Sequence, residues 1–402
     1  MNKKEVKKAP ALRFKGFTND WEQRKLGEIA KTYSGGTPSI SNKKFYINGH
    51  IPFIKSGEIG STRTEQKINY DGLNNSSARL IETGTLLYAL YGATSGKAAI
   101  SPIDGAINQA VLAIIPQNNV NRFIYEWLNK NKSRITGKYL QGGQGNLSAK
   151  IIKQINIYIT SKNEELKISN ILRIVNKIIS LQQRKLELLK ASKKAVLQNI
   201  FTDTKRVPTI RFNTFSENWN QKRLKPFLIK YNKKTTVNNQ YPVLTSSRQG
   251  LFFQKDYYDG NQIASKNNIG YNIVPRNYFT YRHMSDDLIF HFNINTICDY
   301  GIVSTLYPVF TTTSEIDSQW LLYYLNHSVD IKKYALLQKQ GGSRTYMYFS
   351  KLESLKAHIP ALAEQKKISS LIFKIDEQIY FQQKKLKYLQ KSKQFLLQNM
   401  FI

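Results

Sequence analysis

The 402-residue chain carries 60 Lys and Arg against 27 Asp and Glu, a formal net charge of +33, which favours a polyanionic partner, nucleic acid before an anionic membrane surface. Its single cysteine, Cys298, excludes an internal disulfide and points to a reducing compartment, and its five histidines make no zinc pattern with it. No apolar run approaches the ~20 residues that span a bilayer, and none follows the charged N-terminus as in a signal peptide, so a soluble cytoplasmic protein with no membrane contact is expected.

In chain order, the first recognisable piece is PALRFKGFTNDWEQRKL at 10–26, which returns as PTIRFNTFSENWNQKRL at 208–224. Behind it, region 27–160 reads as mixed α/β. IPFIKSG (51–57), TLLYALYG (85–92) and AVLAIIP (110–116) are short apolar runs ended by Gly or Pro, as buried strands are. FIYEWLNKN (123–131) has the pattern of a short amphipathic helix, and the polar, glycine-rich QGGQGN (141–146) follows.

Residues 167–201 then show helical periodicity with no Pro or Gly. Ile168, Leu172, Val175, Ile179, Gln182, Leu186, Leu189, Lys193, Val196 and Ile200 lie alternately four and three apart, a heptad seam. The same seam returns 200 residues later as Ile368, Ile372, Ile375, Ile379, Gln382, Leu386, Leu389, Lys393, Leu396 and Met400. LQQRKLELLKASKKAVLQNIF (181–201) and FQQKKLKYLQKSKQFLLQNMF (381–401) share eleven of twenty-one residues. Both seams break at the same polar positions, which predicts two helices paired in fixed register. Parallel and antiparallel pairings remain open at this level.

Between the helices, region 225–360 resembles the first only in style. QYPVLTSS (240–247), NYFTYRH (277–283) and YGIVSTLYPVF (300–310) read as strands, SQWLLYYLNH (318–327) as a helix, and QGGSRTY (340–346) as a second glycine-rich loop. The chain is thus one duplication of about 200 residues, long enough for two cores.

Several loops collect groups suited to a DNA groove: glycine for close backbone approach, Arg and Lys for phosphate or guanine, Asn and Gln for adenine. In the first region these are Ser34, Gly35, Gly36, Thr37, Lys43, Lys44, Lys55, Arg63, Lys97, Asn108, Gln109 and Gln144. In the second they are Ser246, Ser247, Arg248, Gln249, Lys266, Arg276, Arg282, His283, Arg344 and Tyr346. The same residue types also make ordinary turns and solvated surface.

Signs of catalysis are missing. GATSGKA (92–98) has one residue too few between its glycines, and Ala after Lys, for a phosphate loop. No two prolines adjoin, which excludes the Pro-Pro element of an adenine methyltransferase, and no dinucleotide-type GxGxxG occurs. A binding chain that performs no chemistry is expected, with no metal and no cofactor of its own.

These pieces in this order resemble the DNA-specificity subunit of a type I restriction–modification system: SGGTPS before IPFIKSGEI, LLYALYGATSGKAAI, AINQAVLAIIP, YPVLTSSRQGLFFQKDYY, and the EQKKISSLI entry into a long helix. The first copy departs from it, with NEELKISNIL and no Pro just before that helix. The resemblance implies tandem α/β target-recognition domains at 1–160 and 204–361, related by a pseudo-two-fold repeat. It further implies that the long helices, 161–203 and 362–402, pair as an antiparallel coiled coil. It implies a non-catalytic subunit that reads a bipartite, asymmetric site in double-stranded DNA. Two modification subunits would bring S-adenosylmethionine and adenine-N6 methylation, and restriction or motor subunits would bring ATP, Mg and cleavage. The competing readings are a self-contained nuclease or methyltransferase, and a coiled-coil scaffold or nucleic-acid binder without bipartite specificity.

Overall fold

A computed structural model describes residues 9–140, 146–201, 207–260, 264–339 and 344–402. Two helices dominate, Lys162–Phe201 of 40 residues and Leu362–Asn399 of 38. Neither contains Pro or Gly, and acidic side chains in the first turn, Glu164 and Glu165 in one and Glu364 in the other, complement the helix dipole. The described chain forms two compact units. One holds the residues up to Gln183 together with Lys384–Ile402, and the other is Arg184–Gln383. Each unit therefore owns the start of one long helix and the end of the other.

In the first unit, a four-stranded antiparallel sheet has the order Ala30–Ser34, Val111–Pro116, Leu86–Ala89, Ala98–Ile100. A smaller sheet runs Lys67–Ile68, Ile51–Ile54, Gly105–Ile107, Arg79–Ile81, with its central pair parallel. Helix Asn121–Lys130 buries Phe123, Ile124, Trp127 and Leu128. These join Ile168, Leu172, Met400 and Phe401 in one core. The start of the first long helix and the end of the second thus meet in this unit.

The second unit repeats the plan. Its four-stranded sheet runs Leu228–Lys230, Val309–Thr312, Phe279–Tyr281, Phe292–Ile294, and helix Ser318–His327 buries Trp320, Leu321, Tyr324 and Leu325. Leu197, Ile200 and Phe201 share its core with Ile368 and Ile372. The ends are exchanged here too, so the helices run antiparallel.

The duplicated lead-in acts as a clasp. In the first unit, strand Glu22–Lys25 pairs with Asn156–Ile159, and Arg13 Nε and Nη2 donate to Glu164 Oε1 and Oε2 at 2.6 and 2.8 Å. In the second, Asn220–Arg223 pairs with Lys356–Ile359, and Arg211 donates the same way to Glu364 at 2.8 and 2.8 Å. The next helix residue steadies the domain helix: Glu165 accepts from Val120 N, and Gln365 from Asp317 N. Lys167 lies over Phe14 and Phe17, and Lys367 over Phe212 and Phe215. Trp21 packs against Phe401, and Trp219 against Trp320, which contacts Phe201.

The heptad positions are the less exposed positions of both helices, from Ile168 and Ile368 through Val175, Ile179, Leu186 and Leu189, and through Ile375, Ile379, Leu386 and Leu389. Gln182 is half-buried and Gln382 buried. The lysine breaks have acidic neighbours. Lys193 pairs with Asp376 at 2.5 Å in the second unit. In the first, position 176 is Asn, which donates to Glu126 at 3.0 Å; burial pushes the Glu126 carboxyl up, and Lys393 opposes that shift.

Burial, reinforced by Lys193, His291 and Lys332 and opposed by Asp376, pushes His327 in the second unit down to about 4. An unfolded histidine takes its proton near pH ~6.5. The folded state thus excludes a proton that the unfolded chain accepts, and stability falls as pH drops from about 6.5 towards 4. His327→Gln is expected to flatten that part of the melting-temperature profile; an unchanged slope contradicts this assignment.

Candidate nucleic-acid interface

Strand register decides which of the candidate residues meet. In the first unit's larger sheet, Ser34 opposes Leu112, Leu112 opposes Tyr88, and Tyr88 opposes Ala98. One end of that sheet therefore carries Ser34–Thr37, Asn108–Gln109, the turn at 90–96 and Lys97. The smaller sheet adds to this end, because Ile54 pairs with Ile107 and Ile107 with Arg79. Lys55 and Arg79 come with it.

The SGGT loop is pinned there. Gly35 N donates to Asn108 O at 3.2 Å, and Thr37 Oγ1 to Gln109 Oε1 at 2.7 Å. A Cβ on Gly35 would lie 1.7 Å from Ile107 O, and one on Gly36 2.6 Å from Ser77 Cβ. Glycine is needed for this approach of two backbones. Asn108 Oδ1 accepts from Ala110 N, so the amide braces its own turn. Thr37 and Gln109 are exposed, Gly36 is buried, and the Ser34 hydroxyl is buried with no hydrogen-bond partner among the described residues.

Glu58 organises the loop after Lys55, accepting from Lys55 N at 3.2 Å and Glu65 N at 2.7 Å, and leaves Arg63 exposed. Lys43 and Lys44 are exposed, but they stand at the other end of the smaller sheet. There Ile51 pairs with Ile68, and Asn69 donates to Lys44 O. Leu147 N donates to Leu90 O, which brings the chain after 145 to this same end of the larger sheet. Gln144 lies outside the described residues.

In the second unit, most of the candidate residues gather around a hairpin. Leu244–Ser247 pairs with Gly250–Phe253, leaving Arg248 and Gln249 exposed at the tip. Asn293 Nδ2 donates to Ser246 Oγ at 2.8 Å and Ser247 O at 2.9 Å, so these serines brace the hairpin. Met284–Ser285 pairs with Thr345–Tyr346, which puts Arg344 beside Asp286. Arg344 Nε donates to Asp286 Oδ1 at 3.0 Å and Arg248 Nη2 to Asp287 Oδ1 at 2.6 Å, with all four side chains well exposed. Bonds from Arg248 and then Ser285 hold the Asp287 carboxyl below the usual carboxylate range.

Buried His283 bonds through Nδ1 to Leu306 O, and its ring lies 5.0 Å from Tyr348 and 6.0 Å from Tyr346. Arg282 is exposed and lines a cavity of ≈ 430 Å³ with Thr245, Gln254, Tyr258 and Tyr307. Two candidates stand apart. Lys266 is on the loop tied to Asn238, and Arg276, at the far end of the strand that leads to Arg282, pairs with Asp299 at 2.9 Å.

Residues 18–191 match the family model of the type I restriction modification DNA specificity domain. Over those residues the chain is similar to that domain. A 170-residue segment is 29% identical to the EcoR124I/EcoR124II specificity subunit of Escherichia coli, covering 40% of this chain and 42% of that one. A 196-residue segment is 26% identical to the MjaIX specificity subunit of Methanocaldococcus jannaschii, covering 46% and 44%. Each of these matches spans less than half of the curated relative. In fold, the chain is similar to the S subunit of a type I restriction–modification system from M. genitalium. The TM-score is 0.59 at 14% identity, over 98% of this chain and 99% of that one.

The loop-bearing ends of the two units also hold residues that sequence reasoning missed. Arg79 lies over the Tyr33 ring at 5.6 Å, against the SGGT loop. Asp286 and Asp287 carry the wrong charge to stand out as DNA ligands. Tyr348 stacks on Tyr346 at 5.7 Å and is 48% exposed. It could have been found from the period-two spacing of TYMY, which puts both rings on one side of an extended chain.

Proposed function

We propose that this chain is the specificity subunit of a type I restriction–modification complex, and that its two recognition domains, 1–160 and 204–361, each read one half of a split, asymmetric site in double-stranded DNA. The observation that carries this reading is a repeated framework around unlike surfaces: clasp, four-stranded sheet, domain helix and exchanged helix ends recur, while the smaller sheets and exposed loops differ. Two different half-sites call for two different surfaces on one scaffold. Thr37, Lys55, Arg79, Lys97 and Gln109 serve one half-site. Arg248, Gln249, Arg282, Arg344 and the His283–Tyr348 stack serve the other. Lys43, Lys44 and Arg63 grip the phosphate backbone.

The paired helices, each about 60 Å long at 1.5 Å per residue, hold the gap between half-sites constant. Two modification subunits, using S-adenosylmethionine, methylate adenine N6 after flipping the base. Motor subunits use ATP and Mg to translocate and cleave. The chain itself does no chemistry and works in the cytoplasm. Exposed Ile174 and Leu181 in the first unit, and Phe373, Tyr380 and Phe381 in the second, are the helix residues offered to the modification subunits.

Selection of bound duplexes from a randomised DNA pool by the full chain tests this. The expected product is two short conserved blocks with a fixed unspecified gap, bound in a strongly salt-sensitive way because phosphate contacts release counterions. A pool with no sequence preference, retained equally at 50 and 200 mM salt, points to a scaffold instead.

A further inference from the structure

We infer that Asp286 and Asp287 are positioning residues for DNA readout, holding Arg344 and Arg248 in the pose that reads base edges; this rests on the DNA-specificity reading. The carboxylates sit where a DNA-binding surface should repel them from its ligand, between two exposed arginines. They are not incidental to the loop. Asp287 Oδ1 accepts from Ser285 Oγ at 2.9 Å, Ile289 N at 3.2 Å and Arg248 Nη2 at 2.6 Å. One oxygen therefore fixes its own turn and aims the guanidinium. Asp286 is fixed by the Ser285–Thr345 strand pairing that also brings Arg344 alongside.

Two physical consequences follow. An arginine held by a carboxylate is partly neutralised and does not pair indiscriminately with phosphate. Its remaining N–H groups, pointing away from the aspartate, stay available for a directional contact such as guanine O6 and N7. Exposed ion pairs add little to stability, so the geometry they impose is their main effect. The bracing of Ser246 and Ser247 by Asn293 keeps the backbone that carries Arg248 equally fixed.

The test uses the full chain in four forms, wild type, Asp287→Asn, Arg248→Ala and the double variant, each selecting duplexes from a randomised pool. Asn keeps the size of Asp and an acceptor for Ser285 and Ile289, so the turn survives. Asp287→Asn is expected to bind non-specific DNA more tightly while losing about tenfold of its preference at one base position, the scale of one good base contact. Arg248→Ala is expected to lose preference at the same position. The double variant is expected to discriminate no worse than Arg248→Ala, because the aspartate acts only through that arginine. Unchanged preference in Asp287→Asn, or additive losses in the double variant, overturns the inference. A wild-type chain with no preference at any base sinks the specificity reading itself, which separates the two failures.

Discussion

Arg211→Met is expected to destabilise the second unit by about 3–5 kcal/mol, because it strands the Glu364 carboxylate in a buried site. The Arg211 and Glu364 side chains are 11% and 1% exposed, and both guanidinium bonds to the carboxylate are 2.8 Å long. A loss of that size lowers the melting temperature of a ~200-residue unit by roughly 6–20 °C. Arg211→Met combined with Glu364→Leu is expected to recover most of it, since an apolar pair of similar volume leaves no buried charge. Failure of the double variant to recover would show that the contact from Arg211 to Glu217 O, rather than the ion pair, ties the lead-in down. Arg13 and Glu164 make the same clasp in the first unit, 13% and 0% exposed, so Arg13→Met is expected to act alike there.

Gly35→Ala is the second large effect. A methyl group 1.7 Å from the Ile107 carbonyl oxygen forces one backbone or the other to move, and overpacking of this kind costs about 1–3 kcal/mol or more. Displacement of the loop breaks the Thr37–Gln109 contact and with it the geometry of the first reading end. The expected result is a partly destabilised chain that loses preference for one half-site and keeps the other. Gly137→Ala is the control: it lies in helix Lys132–Leu140 with nothing within 4 Å of the added carbon, and is expected to be neutral or slightly stabilising. Loss of both half-sites in Gly35→Ala, with the fold intact by melting temperature, would contradict the assignment of the loop to one reader.

The framework was legible in the sequence because it depends on period and identity. Ten seam positions spaced four and three apart fit a helix with one buried stripe and fit neither strand nor loop. Their return at a fixed offset makes the two helices equivalent. Direction was not legible. It came from Phe401 packing on Trp21 and Phe201 on Trp320, contacts between residues hundreds of positions or one domain apart.

The candidate surfaces were only half legible. Gly35, Thr37, Asn108 and Gln109 stood out by type, yet their meeting depends on strand register, which short apolar runs do not specify. Lys266 and Arg276 stood out by charge alone, and charge does not say at which end of a strand a side chain emerges. Asp286 and Asp287 were invisible because a carboxylate repels phosphate, and their pairing with arginines shows only once the two are side by side. The Ser34 hydroxyl, polar and beside two glycines, faces inward because the residue belongs to a strand whose neighbours Leu112 and Tyr88 form the core.

The central claim is that two readers on one scaffold specify one split site. The most direct measurement is a map of methylated adenines in DNA from cells co-expressing this chain with a type I modification subunit that assembles with it. The account predicts two short specified blocks separated by a gap of constant length, one block changing when region 27–160 is exchanged and the other when 225–360 is exchanged. A continuous motif, or a single exchange that alters both blocks, would contradict it.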